Sequence, residues 1–199
     1  MAAPPSQSLN DLSGEWVMNK ELSDSAEPAL ALQGIGWLTR KAIGLATVTL
    51  QVKQYVGPPT PPAADRGDVT HVDIDQTATG GIKGSTERRC VDGVAREHSD
   101  WLFGRVRGRS RWVAAADVED AFLARGWLLE GEDEGEPAGP AGETRRLLLS
   151  VAESLDNGWV ATQVWGFQRL EGERRYARNV VVVKGDERVE CRLVYDFIP

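Results

Sequence analysis

The part of the sequence best suited to acid–base chemistry is the run Glu97-His98-Ser99-Asp100-Trp101. Side chains alternate between the two faces of a strand, so an inward-pointing Trp101 and Phe103 would bring Glu97 inward as well. A carboxylate in an aromatic-lined cavity has a raised pKa and can act as a general acid or base. The opposite register gives this position to His98. We therefore predict Glu97 and His98 as the candidate catalytic residues.

A second cluster of chemically active side chains lies in another predicted strand, where His71, Asp73 and Asp75 share one face. A histidine beside two carboxylates can hold a metal ion or transfer protons. Metal sites usually draw ligands from several elements, however, and the intervening Val72 and Ile74 are better suited to the interior. We expect the acidic face in solvent and predict no metal. We also predict no cofactor, because the sequence lacks a phosphate-binding loop, a nucleophile elbow and a dinucleotide-binding fingerprint.

Aromatic and amide side chains supply the candidate ligand contacts. The chain has seven Trp, four Phe and three Tyr, and Trp combines a large apolar surface with one N–H donor, which suits a cavity wall as well as a core. Gln163 and Trp165 share one face of a predicted strand, and Tyr176 lies on the next strand. We expect this surface to suit an oxygenated ring system better than a plain alkyl chain. The candidate ligand-binding residues are Trp37, Trp101, Phe103, Trp112, Gln163, Trp165, Tyr176 and Tyr195.

Four arginines occupy alternate positions of one predicted strand, namely Arg105, Arg107, Arg109 and Arg111. Four like charges inside a cavity would be prohibitively costly without counter-charges. We therefore expect this face to lie outside.

The formal net charge of the 199-residue chain is −7, and its distribution excludes several functions. Residues 130–143 contain six acidic residues and no basic one, so the rest of the chain is close to neutral. We predict an acidic flexible loop there, which would repel nucleic acid.

No apolar run approaches the ~20 residues of a membrane helix, and the N-terminus lacks the features of a secretory signal. Cys90 and Cys191 form neither a disulfide framework nor a metal-ligand spacing. We expect a soluble, cytoplasmic protein.

The elements that must position these residues are two short helices followed by a long series of strands. Glycines at 34, 36 and 44 bound predicted helices over 29–33 and 37–43. From residue 47 onwards, alternating segments separated by turn residues predict nine or ten strands, with a helical insertion at 114–125. Such a meander closes most simply into a barrel, which removes both sheet edges. We predict an all-β, up-and-down antiparallel barrel of about ten strands with a helix-turn-helix lid, in one domain spanning residues 1–199.

Two motifs identify a family resemblance. Gly14-Glu15-Trp16 precedes the predicted helices, and the sequence from Leu32 to Lys41 carries a Gly-x-Gly followed by Thr-Arg-Lys. Over residues 10–56 this arrangement resembles the intracellular fatty-acid-binding proteins of the calycin superfamily. The resemblance implies a flattened ten-stranded barrel around a cavity, with the two helices as its portal. Members of that family bind fatty acids, retinoids or similar lipids without a cofactor.

The resemblance is weaker at the residues with which that family binds its ligand. That family binds a carboxylate with an Arg-x-Tyr pair on its last strand, whereas Arg192 and Tyr195 are one residue further apart and face opposite sides of a regular strand. Either Arg192 faces water or a bulge restores the pairing. An ordinary fatty acid is therefore not the expected ligand.

Three functions remain open from the sequence. The first is binding of a small hydrophobic or polycyclic metabolite in the barrel. The second is a cofactor-independent cyclase or isomerase, for example of the pericyclase type, because a fungal-looking group of similar barrels is associated with natural-product pathways. The third is a scaffold whose acidic loop binds a basic partner. The sequence predicts no particular oligomeric state.

Overall fold

Ten antiparallel strands and a few short helices make up the computed structural model, which describes residues 1–62, 67–80, 82–129 and 146–199. The acidic run at 130–143 lies outside these residues. The strands are β1 Gly14–Met18, β2 Val48–Gly57, β3 Val69–Ala78, β4 Ser85–Cys90, β5 Arg96–Asp100, β6 Gly104–Ala114, β7 Arg146–Ser154, β8 Val160–Leu170, β9 Glu173–Lys184 and β10 Glu187–Ile198. The α-helices are α1 Glu27–Leu32, α2 Trp37–Leu45 and α3 Ala121–Ala124, and a 3-10 turn spans Ala115–Asp117.

The strands form a single sheet in the order β4-β3-β2-β1-β10-β9-β8-β7-β6-β5. Each strand is antiparallel to its neighbour, and β1 joins the two halves by pairing with both β2 and β10. The two terminal strands, β4 and β5, do not pair with each other, so the barrel is nearly closed and has one gap between them, which we call the seam. The predicted all-β, up-and-down antiparallel barrel of about ten strands with a helical lid is confirmed.

Strand alternation divides the side chains into an inner and an outer set. On β3, Val72 and Ile74 are fully buried in the interior, whereas Asp75 is exposed. On β9, Tyr176 and Arg178 face the same interior, and their register partners Tyr195 and Leu193 face it from β10. The expected inward placement of Val72 and Ile74 is therefore observed.

The half of the barrel away from α1 and α2, which we call the lower half, is a packed core centred on Trp16. This side chain is completely buried, contacts the rings of Tyr176 and Phe197 at 5.1 and 5.0 Å between centroids, and donates its indole N–H to the Leu12 carbonyl. The N-terminal segment covers this end, where the Gln54 side chain hydrogen-bonds to the backbone of residues 9, 10 and 12. The lower interior is thus filled by protein side chains.

The upper end is covered by the two helices. The α1 residues Ala29 and Leu32 are buried against the upper barrel interior, whereas α2 has no buried residue. Arg40 ties the helices together, because its Nε pairs with Glu27 Oε1 at 2.9 Å and its Nη1 donates to the Ile35 carbonyl at 2.5 Å. Neither helix is long enough to be stable alone, so the barrel beneath must support them.

The insertion between β6 and β7, which contains α3, packs on the outer face of β7, β8 and β9. The turn after α3 presses the Trp127 ring against Gly166, where an added Cβ would lie only 2.7 Å from a ring atom. The completely buried Asn179 side chain donates to the carbonyls of Phe122 and Arg125, which anchors the insertion. Within the described ranges, no helix is long and apolar enough to cross a membrane.

Replacement of Trp16 by alanine is expected to lower the free energy of unfolding by about 3–5 kcal/mol, because it removes a fully buried ring and leaves a cavity. Urea denaturation measures this change. Trp37→Ala is the matched control, since that ring is 62% exposed; its effect should stay within about 0.5 kcal/mol. A similar loss in both variants would contradict the described core.

Candidate ligand cavity

A cavity of about 190 Å³ lies between α1 and the middle of the barrel. Small and apolar side chains form most of its wall, including Ala29 and Leu30 from α1 and Val106, Trp159, Ala161 and Val182 from the strands. Side chains from both seam strands, among them Glu87 on β4 and His98 on β5, also line it. Apolar walls with a few placed polar groups are typical of small-molecule sites.

A charged network extends from β4 across the bottom of the cavity. Arg89 on β4 donates its Nε to Glu87 Oε2 at 2.8 Å and its Nη1 to Ser150 Oγ at 2.5 Å, with a longer contact of 3.4 Å to Ser110 Oγ. Gln76 donates to the other Glu87 oxygen at 2.7 Å. One guanidinium therefore links β4 to β6 and β7, two strands with which β4 forms no backbone ladder.

Glu87 is ionised within this network. Burial alone would raise the pKa of its carboxyl group, but the positive charges of Arg89 and Arg178, and the hydrogen bonds from Arg89 and Gln76, hold that pKa below its ordinary value. A buried carboxylate is tolerated only when it is paired in this way.

Trp165 lies at the centre of the same layer and is completely buried. The Cζ atoms of Arg178 and Arg89 lie 3.9 and 5.0 Å from its ring centroid, within the range of cation–π attraction. Glu87, Arg89 and Gln163 line the cavity, and Trp165 and Arg178 lie behind them without forming part of its wall. We call this layer of five residues the cavity floor.

The Gln163 side chain is the oriented hydrogen-bonding group of the cavity. Its Oε1 accepts the Trp165 indole N–H at 2.9 Å. Because an indole N–H can only donate, this bond fixes which end of the amide is oxygen. The amide nitrogen has no protein partner among the described residues and lies on a residue that lines the cavity. Gln163 can therefore donate a hydrogen bond to a bound molecule.

His98 stands at the cavity mouth. Its ring Cε1 lies 3.7 Å from the position that a Cβ on Gly108 would occupy. Partial burial, together with the positive charge of Arg89, lowers the pKa of the imidazole, and the carboxylates of Asp100 and Glu87 only partly offset this. His98 is thus a neutral group near pH 7 that can accept a hydrogen bond.

Comparison with known proteins shows the family of the chain, although no family model matches it. The chain is 32% identical over 199 residues to the probable pericyclase scpY of Mollisia scopiformis, covering 99% of this chain and 95% of that protein. It is also 32% identical over 200 residues to pericyclase pydY of an Acremonium species, covering 100% and 97%. The chain belongs to this family of fungal pericyclases.

Solved structures with the same fold include fatty-acid-binding proteins. A Schistosoma mansoni fatty-acid-binding protein in complex with arachidonic acid matches with a TM-score of 0.56 and 12% identity, covering 97% of this chain and all of that one. Echinococcus granulosus fatty-acid-binding protein 1 matches with a TM-score of 0.53 and 14% identity, covering 94% and 98%. At this identity the likeness shows the fold alone, and it confirms the resemblance found in the sequence.

The structure brings several of the predicted ligand residues together in the pericyclase-family barrel. Phe103 and Gln163 line the cavity, as does the catalytic candidate His98. Trp165 forms part of the floor, and the buried rings of Tyr176 and Tyr195 lie 5.3 Å apart beside it. Burial raises the pKa of both tyrosines, so both hydroxyls remain protonated.

Other predicted residues lie outside the cavity, which corrects their expected placement. Glu97 points to the outer face of β5, because β5 has the register that brings His98 and Asp100 inward. Trp101 belongs to the turn after β5, is 43% exposed, and donates its indole N–H to the Gly84 carbonyl across the seam. Trp37 is exposed on α2. Trp112 packs against the lower core rather than the cavity.

The remaining candidate clusters are structural. His71 is buried on the outer side of β3, where it stacks on Tyr55 at 4.8 Å and its Nε2 lies 3.0 Å from the Pro58 carbonyl oxygen. No group of residues able to hold a metal ion occurs within the described ranges. The arginines of β6 are all exposed, as expected, and Arg105 and Arg107 pair with Asp156 and Glu153.

Three charged residues of the floor were not among the sequence candidates. Glu87 and Arg89 alternate with the exposed Arg88, but charged residues are normally assigned to the surface. Arg178 shares the inner face of β9 with Tyr176, a predicted ligand residue, so strand alternation alone could have indicated that Arg178 points inward. Arg192 does not join Tyr195 inside the barrel, because no bulge occurs in the β9–β10 register.

We expect the imidazole of His98 to titrate below pH 6.5, its ordinary pKa, because burial and Arg89 disfavour the charged form. NMR titration of the histidine Cε1–H signals measures this midpoint, and the signal lost in His98→Gln gives its assignment. A midpoint at or above 6.5 would contradict the described surroundings of the ring.

Proposed function

We propose that the protein is a cofactor-independent cyclase of the pericyclase type, which binds a small, largely apolar, polyunsaturated metabolite in the barrel cavity and converts it to a ring-closed isomer. The observation that carries the proposal is the cavity itself, which has apolar walls and one oriented amide donor on its floor. The full-length similarity to two proteins named pericyclases supports it.

A pericyclic ring closure needs confinement more than reactive groups. The π electrons of one molecule reorganise into new σ bonds, no atom is gained or lost, and no co-reactant is consumed. An enzyme accelerates such a step mainly by holding the molecule in a folded, reactive conformation. The walls formed by α1, Trp159 and Phe103 supply this confinement, since they enclose an apolar chain on several sides.

Gln163 supplies the electrostatic contribution. Its amide N–H is oriented by Trp165 before any ligand binds, so donation to a substrate carbonyl costs little reorganisation. Withdrawal of electron density through that carbonyl activates a conjugated alkene toward cyclisation. His98 at the mouth is suited to accept a hydrogen bond from a hydroxyl or N–H group on the same molecule. Glu97, which lies outside, has no part in this proposal.

The second candidate function is binding without turnover, and the fold favours it, because similar barrels include fatty-acid-binding proteins. Both functions use the same cavity. They differ only in whether the bound molecule leaves as an isomer.

A cavity-filling substitution tests the site that both functions share. Gly108 lines the cavity, and an added Cβ would meet only ordinary contacts, at 3.7 Å or more. Gly108→Phe should therefore fold but occupy the cavity, and lower the affinity for the fluorescent polyene cis-parinaric acid by about tenfold or more. Gly108→Ala is the matched control and should bind nearly as well as the unmodified protein. Equal binding by all three proteins would place the ligand elsewhere.

Gene deletion in the source organism separates the cyclase from the carrier. Loss of a pericyclase should replace one metabolite by an isomer of identical mass that absorbs at longer wavelength, because ring closure shortens conjugation. Chromatography with mass and absorbance detection measures this change. The purified isomer should then be converted by the wild-type protein and about tenfold or more slowly by Gln163→Leu. A reduced amount of the same metabolite, with no isomer, would instead indicate a carrier.

A further inference from the structure

Trp159 carries a hydrogen-bond donor that the protein leaves without a partner. The residue is 2% exposed, and its indole Nε1 is buried and makes no hydrogen bond to any described residue. The other two tryptophans of similar burial are satisfied, because Trp16 donates to the Leu12 carbonyl and Trp165 to Gln163 Oε1. A buried indole N–H normally finds a partner, and one without a partner is costly. Trp159 is the exception among these three residues.

The Trp159 ring lies in the cavity wall at the end under α1, which we call the lid end. Trp159 lines the cavity and belongs to the same packed cluster as Ala29 and Leu32 of α1. The turn that precedes it approaches the helices, because the Asn157 side chain lies 3.9 Å from the position that a Cβ on Gly34 would occupy. The unpartnered N–H therefore belongs to the part of the wall nearest to the lid.

Contacts on both sides of the residue hold the ring in place. The rings of Trp159 and Phe103 meet edge to face, with centroids 5.7 Å apart and planes at 69°. The Trp159 carbonyl accepts the backbone N–H of Ser154 at 2.8 Å, which fixes the main chain at the start of β8. A donor on a ring held in this way needs little reorganisation when a ligand binds.

The inner face of β8 provides a second donor at the opposite end of the cavity. Trp159, Ala161 and Gln163 alternate along the chain, and all three line the cavity. Four residues of extended chain separate the Cα atoms of Trp159 and Gln163 by about 13 Å. Gln163 presents its amide N–H at the floor, and the small Ala161 leaves room between the two donors. A ligand that lies along β8 therefore meets one N–H at each end.

We propose that Trp159 Nε1 donates a hydrogen bond to the ligand at the lid end, so that the substrate has an oxygen acceptor at each end of an apolar, polyunsaturated body. This inference rests on the proposed use of the cavity and adds the substrate class and a residue that determines specificity. Both donors are neutral, so neutral oxygens such as ketone, ester or amide carbonyls suit them. A plain fatty acid has one polar end and would leave one N–H unsatisfied.

Two matched esters test this preference on the wild-type protein. The dimethyl ester of a linear, fully conjugated triene diacid has a carbonyl at each end, whereas the methyl ester of the monoacid of the same length has one. Calorimetric titration should show that the diester binds about tenfold more tightly, because a buried donor gains its partner. Equal affinities would mean that solvent satisfies the indole and would overturn the proposal, as would failure of both esters to bind.

Substitution then assigns the preference to one side chain. Trp159→Phe keeps an aromatic ring beside Phe103 and removes the N–H, so the two esters should bind with nearly equal affinity. Trp127→Phe is the matched control, because that ring packs outside the barrel on Gly166 and its N–H is bonded to the Leu123 carbonyl. The control should keep the wild-type preference. A preference that persists in folded Trp159→Phe would overturn the assignment.

NMR spectra of the indole N–H groups examine the same contact in the wild-type protein. The Trp159 signal, identified by its loss in Trp159→Phe, should move downfield when the diester binds, as expected for a newly formed hydrogen bond. A signal that the bound diester leaves unmoved would contradict the proposed contact.

Failure of this inference can be distinguished from failure of the proposed function. If the isomer from the deletion strain is oxygenated at one end only and the protein still cyclises it, the inference is wrong and the function stands. If no isomer accumulates but the ester preference is found and depends on Trp159, the cyclase function is wrong and the binding inference stands.

Discussion

The hydrogen bonds of Arg89 inside the barrel are the interaction on which the cavity depends. The terminal strands β4 and β5 do not pair with each other. Arg89 ties β4 to β7, two strands beyond β5, by binding Glu87 on its own strand and Ser150 on β7. The same guanidinium lies over Trp165, which in turn orients Gln163. The link from β4 to β7 and the organisation of the cavity thus share one network.

This layer also divides the interior into two parts with different roles. Below it, Trp16 and its aromatic neighbours fill the barrel, and the N-terminal segment covers the end. Above it, small side chains such as Ala161 leave open volume beneath α1. A buried ion pair seldom adds stability, because desolvation of its charges is costly. The partly buried pair of Glu87 and Arg89 lies at this boundary between core and cavity, and binding sites are where local rules of stability are most often broken.

The fold was largely predictable from the sequence because its signals are local. Period-two alternation and turn residues gave the strands, and the glycines near α1 and α2 gave the lid. The site was less predictable. A one-residue change of register exchanges the faces of Glu97 and His98. The prediction that Glu97 points inward relied on alternation with Trp101 and Phe103, but these aromatic residues lie in a turn after β5, where strand alternation does not apply. Glu87, Arg89 and Arg178 were assigned no role in the cavity because the partners that make their burial tolerable lie on other strands, distant in sequence.

The central claim is that the ligand sits in the upper half of the barrel and rests on the floor formed around Trp165. A crystal structure of the protein with the isolated isomer or its cyclised product bound tests this most directly. The account predicts electron density between α1 and Trp165, with a ligand oxygen within hydrogen-bond distance of Gln163 Nε2. A ligand bound on the outer surface, or one inside the barrel with only apolar atoms against the floor, would contradict it.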